Sequence, residues 1–240
     1  MIILYQELYH DIGVIIMNNK IEKMSIKERV LHTSAKLFFE KGYQESTLRE
    51  IANKSGVNYG SLTFAFKNKE NILSMLIAKV FEYQFEMTDK YLKGVTEDKI
   101  LYYAFETTLQ LHLAESSEHM REMYNVSYSL NNPSLEVFRT ISNKLEYIFK
   151  DHLPYLEKKD FYELEIASAG IMRNFITVPC DVYFTMERKV RRFLETTFLI
   201  FRVEDKKIKE AIDFVLKFDF EKIANEVLDK FLESLESKID

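Results

Sequence analysis

Apolar and polar positions between residues 26 and 66 alternate with a helical period and fall into three short runs. At about 100° per residue, the first run gathers its mostly apolar residues within roughly half a turn of the helical wheel: Ile26, Val30, Leu31, Ser34, Ala35, Leu37 and Phe38. In the second run Leu48, Ile51 and Ala52 share one face, and in the third Leu62 and Phe66 lie one turn apart. This pattern predicts three short helices that pack on one another.

Residues with special backbone preferences separate these runs. Gly42 follows the first run and can adopt the left-handed conformation that ends a helix. Thr47 is a good N-cap for the second helix, with Glu50 three residues later as its capping-box partner. Gly56 allows a tight turn, and Asn58 can cap the third helix. The order of helix, tight turn and helix predicts a helix-turn-helix.

The third predicted helix carries polar residues on the face that does not pack. Asn58, Tyr59, Ser61 and Thr63 can hydrogen-bond to base edges in a major groove. The simplest alternative is a three-helix surface module without a nucleic-acid partner. We interpret the segment as a DNA-binding head.

The head resembles the N-terminal region of the TetR/AcrR family of transcriptional regulators, from Ser25 to roughly Leu76. Members of that family run a helix into a glycine-aromatic pair, then a T-x-x-x-I-A segment, a glycine turn and an F-K-N-K-E sequence. The corresponding residues here are Gly42 and Tyr43, Thr47 with Ile51 and Ala52, Gly56 and Val57, and residues 66–70. The resemblance implies an all-α protein, in which a three-helix head precedes a C-terminal helical ligand-binding and dimerisation domain.

The resemblance also implies roles for individual residues of the head. The expected DNA-binding residues are Thr47, Arg49, Asn58, Tyr59, Gly60, Ser61, Thr63, Lys67 and Lys69. Among them, Thr47 and Lys69 would hold phosphates, and residues 58–61 would face the bases. The chain departs from the family at two positions, because Thr63 replaces a phosphate-binding tyrosine and Ala65 replaces a histidine.

Charge is distributed unevenly along the chain. Residues 20–70 contain ten Lys and Arg against six Glu, a net charge of +4. The whole chain has a net charge of −5, which leaves −9 for the remainder. A basic head on an acidic body suits a protein that touches a polyanion with one end only. The alternative is ordinary variation of surface charge.

The rest of the chain is also predicted to be helical. Helices are expected at residues 69–93, 98–114, 117–130, 134–152, 160–178, 183–203, 206–217 and 219–236. Gly94, residues 131–133 and Pro154 would end three of them. The predicted division is an N-terminal arm of unknown role over residues 1–19, a DNA-binding domain over residues 20–70, and a helical ligand-binding and dimerisation domain over residues 71–240.

Two of these helices, at residues 160–178 and 183–203, are apolar on more than one side. The small residues Ala167, Ala169 and Gly170 would let a partner helix approach closely. Because a helix that is apolar all round must be buried on both sides, we expect a homodimer through this pair. A twofold dimer would also place two heads on half-sites about 34–36 Å apart. The alternative is that both helices fill the centre of a monomer.

A regulator needs a site for an effector, and the helical body offers aromatic and polar residues for one. The candidate pocket residues are Tyr102, Tyr103, Phe105, His112, Arg121, Tyr124, Tyr128, Arg173, Asn174 and Phe175. Apolar walls with a few directing polar groups are typical of ligand sites in helical bundles. The same residues also describe a plain aromatic core, which is the alternative for each of them.

Several function classes find no support in the sequence. It contains no Gly-rich phosphate loop, G-x-S-x-G or H-E-x-x-H motif, and His112 and His119 lack a second pair of suitably spaced metal ligands. We therefore expect no enzyme activity, metal or cofactor. The single cysteine, Cys180, suits a reducing cytoplasm, and no stretch approaches the roughly 20 apolar residues that cross a bilayer. A cytoplasmic location without a membrane partner is expected.

Three hypotheses of function follow. The first is a homodimeric repressor that binds a double-stranded DNA operator and is released by a small apolar or aromatic effector. The second is a helical protein-protein adaptor of the same fold that has lost DNA binding, which Thr63 and Ala65 motivate. The third is a helical enzyme with an apolar pocket.

Overall fold

A computed structural model describes residues 24–129 and 142–236, and every regular element in these two ranges is a helix. The helices are α1 (Ile26–Lys41), α2 (Leu48–Lys54), α3 (Tyr59–Phe66), α4 (Lys69–Leu92), α5 (Lys99–Glu115), α6 (Glu118–Ser127), α7 (residues 142–149), α8 (Lys158–Thr177), α9 (Met186–Ile200), α10 (Asp205–Val215) and α11 (Phe220–Glu236). The predicted all-α class is confirmed. The predicted arm over residues 1–19, the helix end at residues 131–133 and the first part of the predicted helix 134–152 lie outside the described residues.

Local capping defines the helices of the head. Ser25 and Glu28 form a reciprocal capping box at the start of α1, and Gly42 ends that helix with a φ of 90°. Thr47 caps α2 by accepting the N–H of Glu50, as predicted. The other half of the predicted capping box is wrong, because the Glu50 carboxylate pairs instead with two lysines, Lys41 and Lys54. Those ammonium groups compete successfully for the carboxylate because they carry full charges.

The three helices of the head enclose a small apolar core. Ile51, Leu62 and Phe66 are buried in it, as the sequence pattern predicts. Phe38 of α1 packs edge-on against Tyr43, with the ring centroids 5.2 Å apart. Gly56, in the turn between α2 and α3, has a φ of 62°, which a glycine adopts without steric cost. The crossed arrangement of α2 and α3 leaves one side of α3 facing solvent.

Helix α4 connects the head to the body. Asn68 caps its first turn, and its 24 residues correspond to a length of about 36 Å. Its first turns bury Ile72 and Leu76 against the head and body, and its later turns pack on α5, α6 and α11. The predicted helix from Lys69 to about residue 93 is thus confirmed.

Helix α5 is the centre of the body. It contacts α4, α6, α8, α9, α10 and α11, and it is buried over most of its circumference. Four of its buried residues are polar, namely Glu106, Thr107, Thr108 and Gln110. Within the described residues, no helix is both long and apolar enough to cross a membrane.

Candidate nucleic-acid interface and effector cavity

The solvent-facing side of α3 carries most of the residues predicted to read bases. Tyr59 is 47% exposed, and Gly60 and Ser61 are also exposed. Asn58 is the N-cap, and its side-chain oxygen accepts the N–H of Gly60 at 2.8 Å. The cap uses one lone pair of this oxygen, so that its second lone pair and the amide N–H₂ group of Asn58 remain for other contacts. These four residues form one continuous exposed surface at the start of the helix.

Thr63 is placed less favourably for a phosphate contact than a tyrosine would be. Its hydroxyl donates back to its own helix, 3.0 Å from the Tyr59 carbonyl oxygen and 3.1 Å from that of Gly60. The side chain is half-buried. A phosphate contact would require this hydroxyl to leave both carbonyl oxygens.

Lys69, for which a phosphate contact is predicted, has its side chain among backbone carbonyl oxygens of the head. Its Nζ donates to the carbonyl oxygens of Tyr43 at 2.7 Å and Ser46 at 2.8 Å, and it lies 4.1 Å from the centre of the Tyr43 ring. Burial lowers the pKa of this ammonium below its ordinary value. Lys69 therefore stabilises the turn between α1 and α2, because the carbonyl oxygens of that turn accept hydrogen bonds from its charged ammonium.

The body holds the same turn from the opposite side. The Glu122 carboxylate of α6 accepts the backbone N–H groups of Tyr43 and Gln44, each at 2.9 Å. His119 of α6 lies beside it, with Nδ1 2.7 Å from the Phe39 carbonyl oxygen. A larger residue at position 42 would have to displace the Glu122 carboxylate from these contacts, and it would be strained at a φ of 90°. The sequence gives no local signal for these contacts, since they join residues about eighty positions apart.

The remaining predicted DNA contacts lie on the surface of the head. Thr47, Arg49 and Lys67 are exposed, and neither of the two basic side chains forms an ion pair with a described residue. Lys67 follows α3 with a φ of 65°. Together with the exposed start of α3, these cations can meet a polyanion without breaking existing pairs.

Two exposed residues of α3, Phe64 and Ala65, are absent from the predicted set, and only Phe64 is large. Phe64 has 91% of its surface exposed, although it is a large apolar side chain. The helical wheel alone could have identified it, because residue 64 points away from the buried pair Leu62 and Phe66.

A small internal cavity of about 20 Å³ lies between α5, α8 and α9. Its lining combines aromatic, apolar and acidic residues: Tyr103, Glu106, Thr107, Gln110, Tyr128, Glu165, Ser168, Ala169, Met172 and Phe193. Only Tyr103 and Tyr128 belong to the predicted pocket set. A space of this size holds about one water molecule.

The other eight predicted pocket residues lie elsewhere. Four are in the core or at its edge. Tyr124 is fully buried, and the rings of Phe105 and His112 both pack on Phe220, with centroid distances of 4.7 Å and 5.4 Å. The ring centroids of Phe175 and Phe193 are 5.8 Å apart. Tyr102 bonds to Asp89 at 2.9 Å and Arg121 pairs with Glu115 at 2.7 Å, while Arg173 and Asn174 are exposed. The alternative of a plain aromatic core describes most of this set, because helical phase places these side chains on different faces.

Two buried carboxyl groups give the cavity its electrostatic character. Burial raises the pKa of Glu106 to about 7 and that of Glu165 to about 8. Glu106 accepts a hydrogen bond from Gln84, and Glu165 accepts one from Ser168 at 2.8 Å. Neither forms an ion pair with a described residue. Both acids were missed, because a glutamate in a helix is usually a solvated residue.

A third acidic residue, Glu115, joins α5 to the loop between α8 and α9. It accepts hydrogen bonds from the buried Lys189 at 2.6 Å, from Arg121 at 2.7 Å and from the Cys180 N–H at 2.9 Å. Burial alone would raise the pKa of Glu115, but these donors hold it below its ordinary value. The network ties the C-terminal end of α5 to α6 and α9.

A helix-turn-helix head with an exposed third helix, joined by a long helix to a helical body, is the arrangement typical of DNA-binding regulators of the helix-turn-helix class. Residues 30–76 match the sequence profile of the family described as bacterial regulatory proteins, tetR family. This match confirms, for the head, the resemblance to the tetR family of transcriptional regulators and the DNA-binding helix-turn-helix.

Individual relatives are also helix-turn-helix transcriptional regulators. The chain is 36% identical over 72 residues to YerO of Bacillus subtilis, covering 30% of this chain and 24% of that protein. It is 22% identical over 174 residues to the probable regulator YttP of Bacillus subtilis, covering 70% and 75% of the two chains. It is 26% identical over 135 residues to QacR of Staphylococcus aureus, covering 56% and 71%.

Among solved structures, a gamma-butyrolactone receptor described as an ArpA-like protein matches with a TM-score of 0.44 and 16% identity. That match covers 84% of this chain and 96% of the receptor chain. The match to YerO, in contrast, spans only about a quarter of that regulator's length.

Proposed function

We propose that this protein is a homodimeric transcriptional repressor that leaves its operator when a small apolar or aromatic molecule enters the body. The main support for the proposal is that the turn between α1 and α2 is hydrogen-bonded from two sides. Lys69 binds its carbonyl oxygens from the head, and Glu122 of α6 binds its N–H groups from the body. A displacement of α6 therefore acts directly on the head.

The cavity gives an effector a route to α6. Tyr128, which lines the cavity, is the residue that ends α6. A molecule larger than one water must widen the cavity, since ligand sites for such molecules measure about 300–1,000 Å³. Widening would push on Tyr128 and shift α6 with Glu122. Such an effector favours the body with the widened cavity over the body with the closed cavity. This difference in affinity is what couples effector binding to DNA binding. Since Glu106 and Glu165 also line the site, we expect the effector to carry a hydrogen-bond donor.

The exposed face of α8 supports the proposed dimer. Ile166 is 48% exposed, Ala167 and Gly170 are exposed beside it, and an added Cβ at Gly170 would meet no atom within 4 Å. Small residues on an open face allow a second helix to approach closely. Helix α9 contributes less than its sequence suggests, because Val190, Phe193, Leu194 and Phe198 are buried within one chain, while Leu199 is 64% exposed.

The proposal is tested with the purified full-length protein and DNA from upstream of its own gene. We expect binding at about 50 mM salt and a large loss of affinity at about 200 mM, because each phosphate contact releases counterions. A competitor duplex of scrambled sequence is the matched control and should bind more weakly. Absence of binding at both salt concentrations would contradict the proposal.

A second candidate is a helical adaptor that has lost DNA binding. It is favoured by the internal engagement of the Thr63 hydroxyl and of the Lys69 ammonium. The double substitution Thr63→Tyr with Ala65→His discriminates between the two functions. A DNA binder should gain about 2- to 10-fold in affinity from one added phosphate hydrogen bond. An adaptor should bind no operator before or after the change.

A further inference from the structure

Phe64 lies at the outermost point of α3. At about 100° per residue, Leu62 and Phe66 point into the head, and Phe64 points about 180° away from their mean direction. Phe64 is 91% exposed, whereas Phe66 is buried. A helix that enters a groove with its exposed face would therefore bring the Phe64 ring close to the floor of that groove.

The surroundings of Phe64 leave its ring open to a partner. It borders a shallow surface groove of about 520 Å³, lined by Ser25, Ile26, Lys27, Gly60, Ser61, Phe64 and Ala65. The neighbours on α3 are small, so that they do not shield the ring. No aromatic contact joins Phe64 to another described residue. Ile26, 42% exposed, borders the same groove, and together with Phe64 it forms an exposed apolar patch of the kind that marks an interaction site.

The chemistry of the DNA groove identifies the group that this ring can recognise. The major-groove edges of the bases present hydrogen-bond donors and acceptors, together with one apolar group, the C5-methyl of thymine. A phenyl ring makes no conventional hydrogen bond, so that the methyl is the feature it can distinguish. We propose that Phe64 is a specificity-determining residue that packs on a thymine methyl group. This inference rests on the proposed function, in which α3 lies in the major groove.

Replacing thymine by deoxyuridine tests the contact, because it removes only the methyl group. The full-length protein first selects a duplex from a random library by repeated rounds of binding. The duplex is then resynthesised with deoxyuridine at each thymine in turn. We expect an approximately fourfold loss of affinity at one position in each half-site, the amount that one buried methyl contributes. Phe64→Ala should bind the thymine and deoxyuridine duplexes equally.

Arg49→Ala is the matched control, since Arg49 is exposed on α2 and carries a charge rather than an apolar contact. It should weaken binding to both duplexes and keep the fourfold difference between them. Unfolding curves should be unchanged for Phe64→Ala, because the ring is exposed. If Phe64→Ala keeps the fourfold difference, or if no thymine is sensitive, the inference is overturned. Failure to enrich any duplex would contradict the proposed function as well.

Discussion

At the residue scale, two glutamates of the body differ in burial and in hydrogen-bond partners. Glu122 is partly exposed and accepts two backbone N–H groups of the head. Glu165 is buried and has one hydroxyl donor, so that its proton is held. The first glutamate joins two parts of the molecule, and the second makes the interior sensitive to pH.

Substitution of Glu122→Gln should weaken the link between head and body. The amide keeps one acceptor oxygen and directs an N–H₂ group at a backbone N–H, so that one charge-assisted hydrogen bond is lost. We expect the free energy of unfolding to fall by about 1–3 kcal/mol in denaturant titrations. Glu118→Gln, exposed on the same helix, is the control and should have a smaller effect. An unchanged stability of Glu122→Gln would mean that the carboxylate does not hold the turn.

Glu165 should make the protein less stable in alkaline solution. Burial raises its pKa from the ordinary value of 4.5 to about 8, so that the folded state binds the proton more tightly than the unfolded chain. The stability it contributes is complete below the unfolded pKa and is lost as the pH rises through about 8. Glu165→Gln should reduce the fall in Tm between about pH 6 and pH 9. Glu163→Gln, exposed on the same helix, should leave that fall unchanged; equal curves for both variants would contradict the assignment.

At the element scale, local signals predicted where helices begin and end. Gly42, Thr47 and Asn58 act as the sequence suggests, because caps depend on neighbours within three or four residues. The partner of Glu50 was predicted wrongly, and the contacts that Lys69 makes within the chain were not predicted. Glu50 pairs with Lys41, and Lys69 binds carbonyl oxygens about twenty-five positions away. Contacts of this kind depend on how helices pack, which a periodic pattern does not specify.

Lys189 tests the connection of α9 to α5. The ammonium is buried and pairs with Glu115, so that Lys189→Met leaves a partly buried carboxylate with Arg121 as its remaining ion-pair partner. We expect a loss of about 3 kcal/mol in the free energy of unfolding. Arg191→Met removes an exposed pair with Glu187 on the same helix and should cost about 0.5 kcal/mol or less. Equal losses of unfolding free energy in the two variants would contradict the claim that the buried ion pair contributes more to stability than the exposed one.

At the scale of the whole molecule, the sequence indicated a helical body but not how its helices share their apolar faces. Phe193 and Phe198 were candidates for a dimer interface and are buried within one chain. The predicted pocket residues also lie on different faces of their helices. Tyr103 lines the cavity, whereas Phe105, two residues later, packs on Phe220. Amino-acid composition and helical periodicity do not show whether an apolar side chain faces the core of its own chain, the cavity or a dimer interface.

The oligomeric state tests the proposed interface on α8. We expect the wild-type protein to sediment as a dimer and Ile166→Glu as a monomer, because the substitution places a charge on the apolar face. Val95→Glu, at an exposed position beyond the end of α4, is the control and should remain dimeric. A dimer that survives Ile166→Glu would place the interface elsewhere, and a monomeric wild type would contradict the homodimer.

The exposed side of α3 is proposed to read DNA, and substitution of Tyr59 distinguishes this claim from a head that does not read bases. Tyr59 is 47% exposed at the start of that helix, so that Tyr59→Ala should leave the fold unchanged. Fluorescence anisotropy with the selected duplex and with a scrambled duplex measures both affinities at one salt concentration. We expect Tyr59→Ala to lose about 5- to 100-fold in affinity for the selected duplex and to bind the scrambled one as the wild type does. Equal affinity of wild type and variant for the selected duplex would contradict the claim.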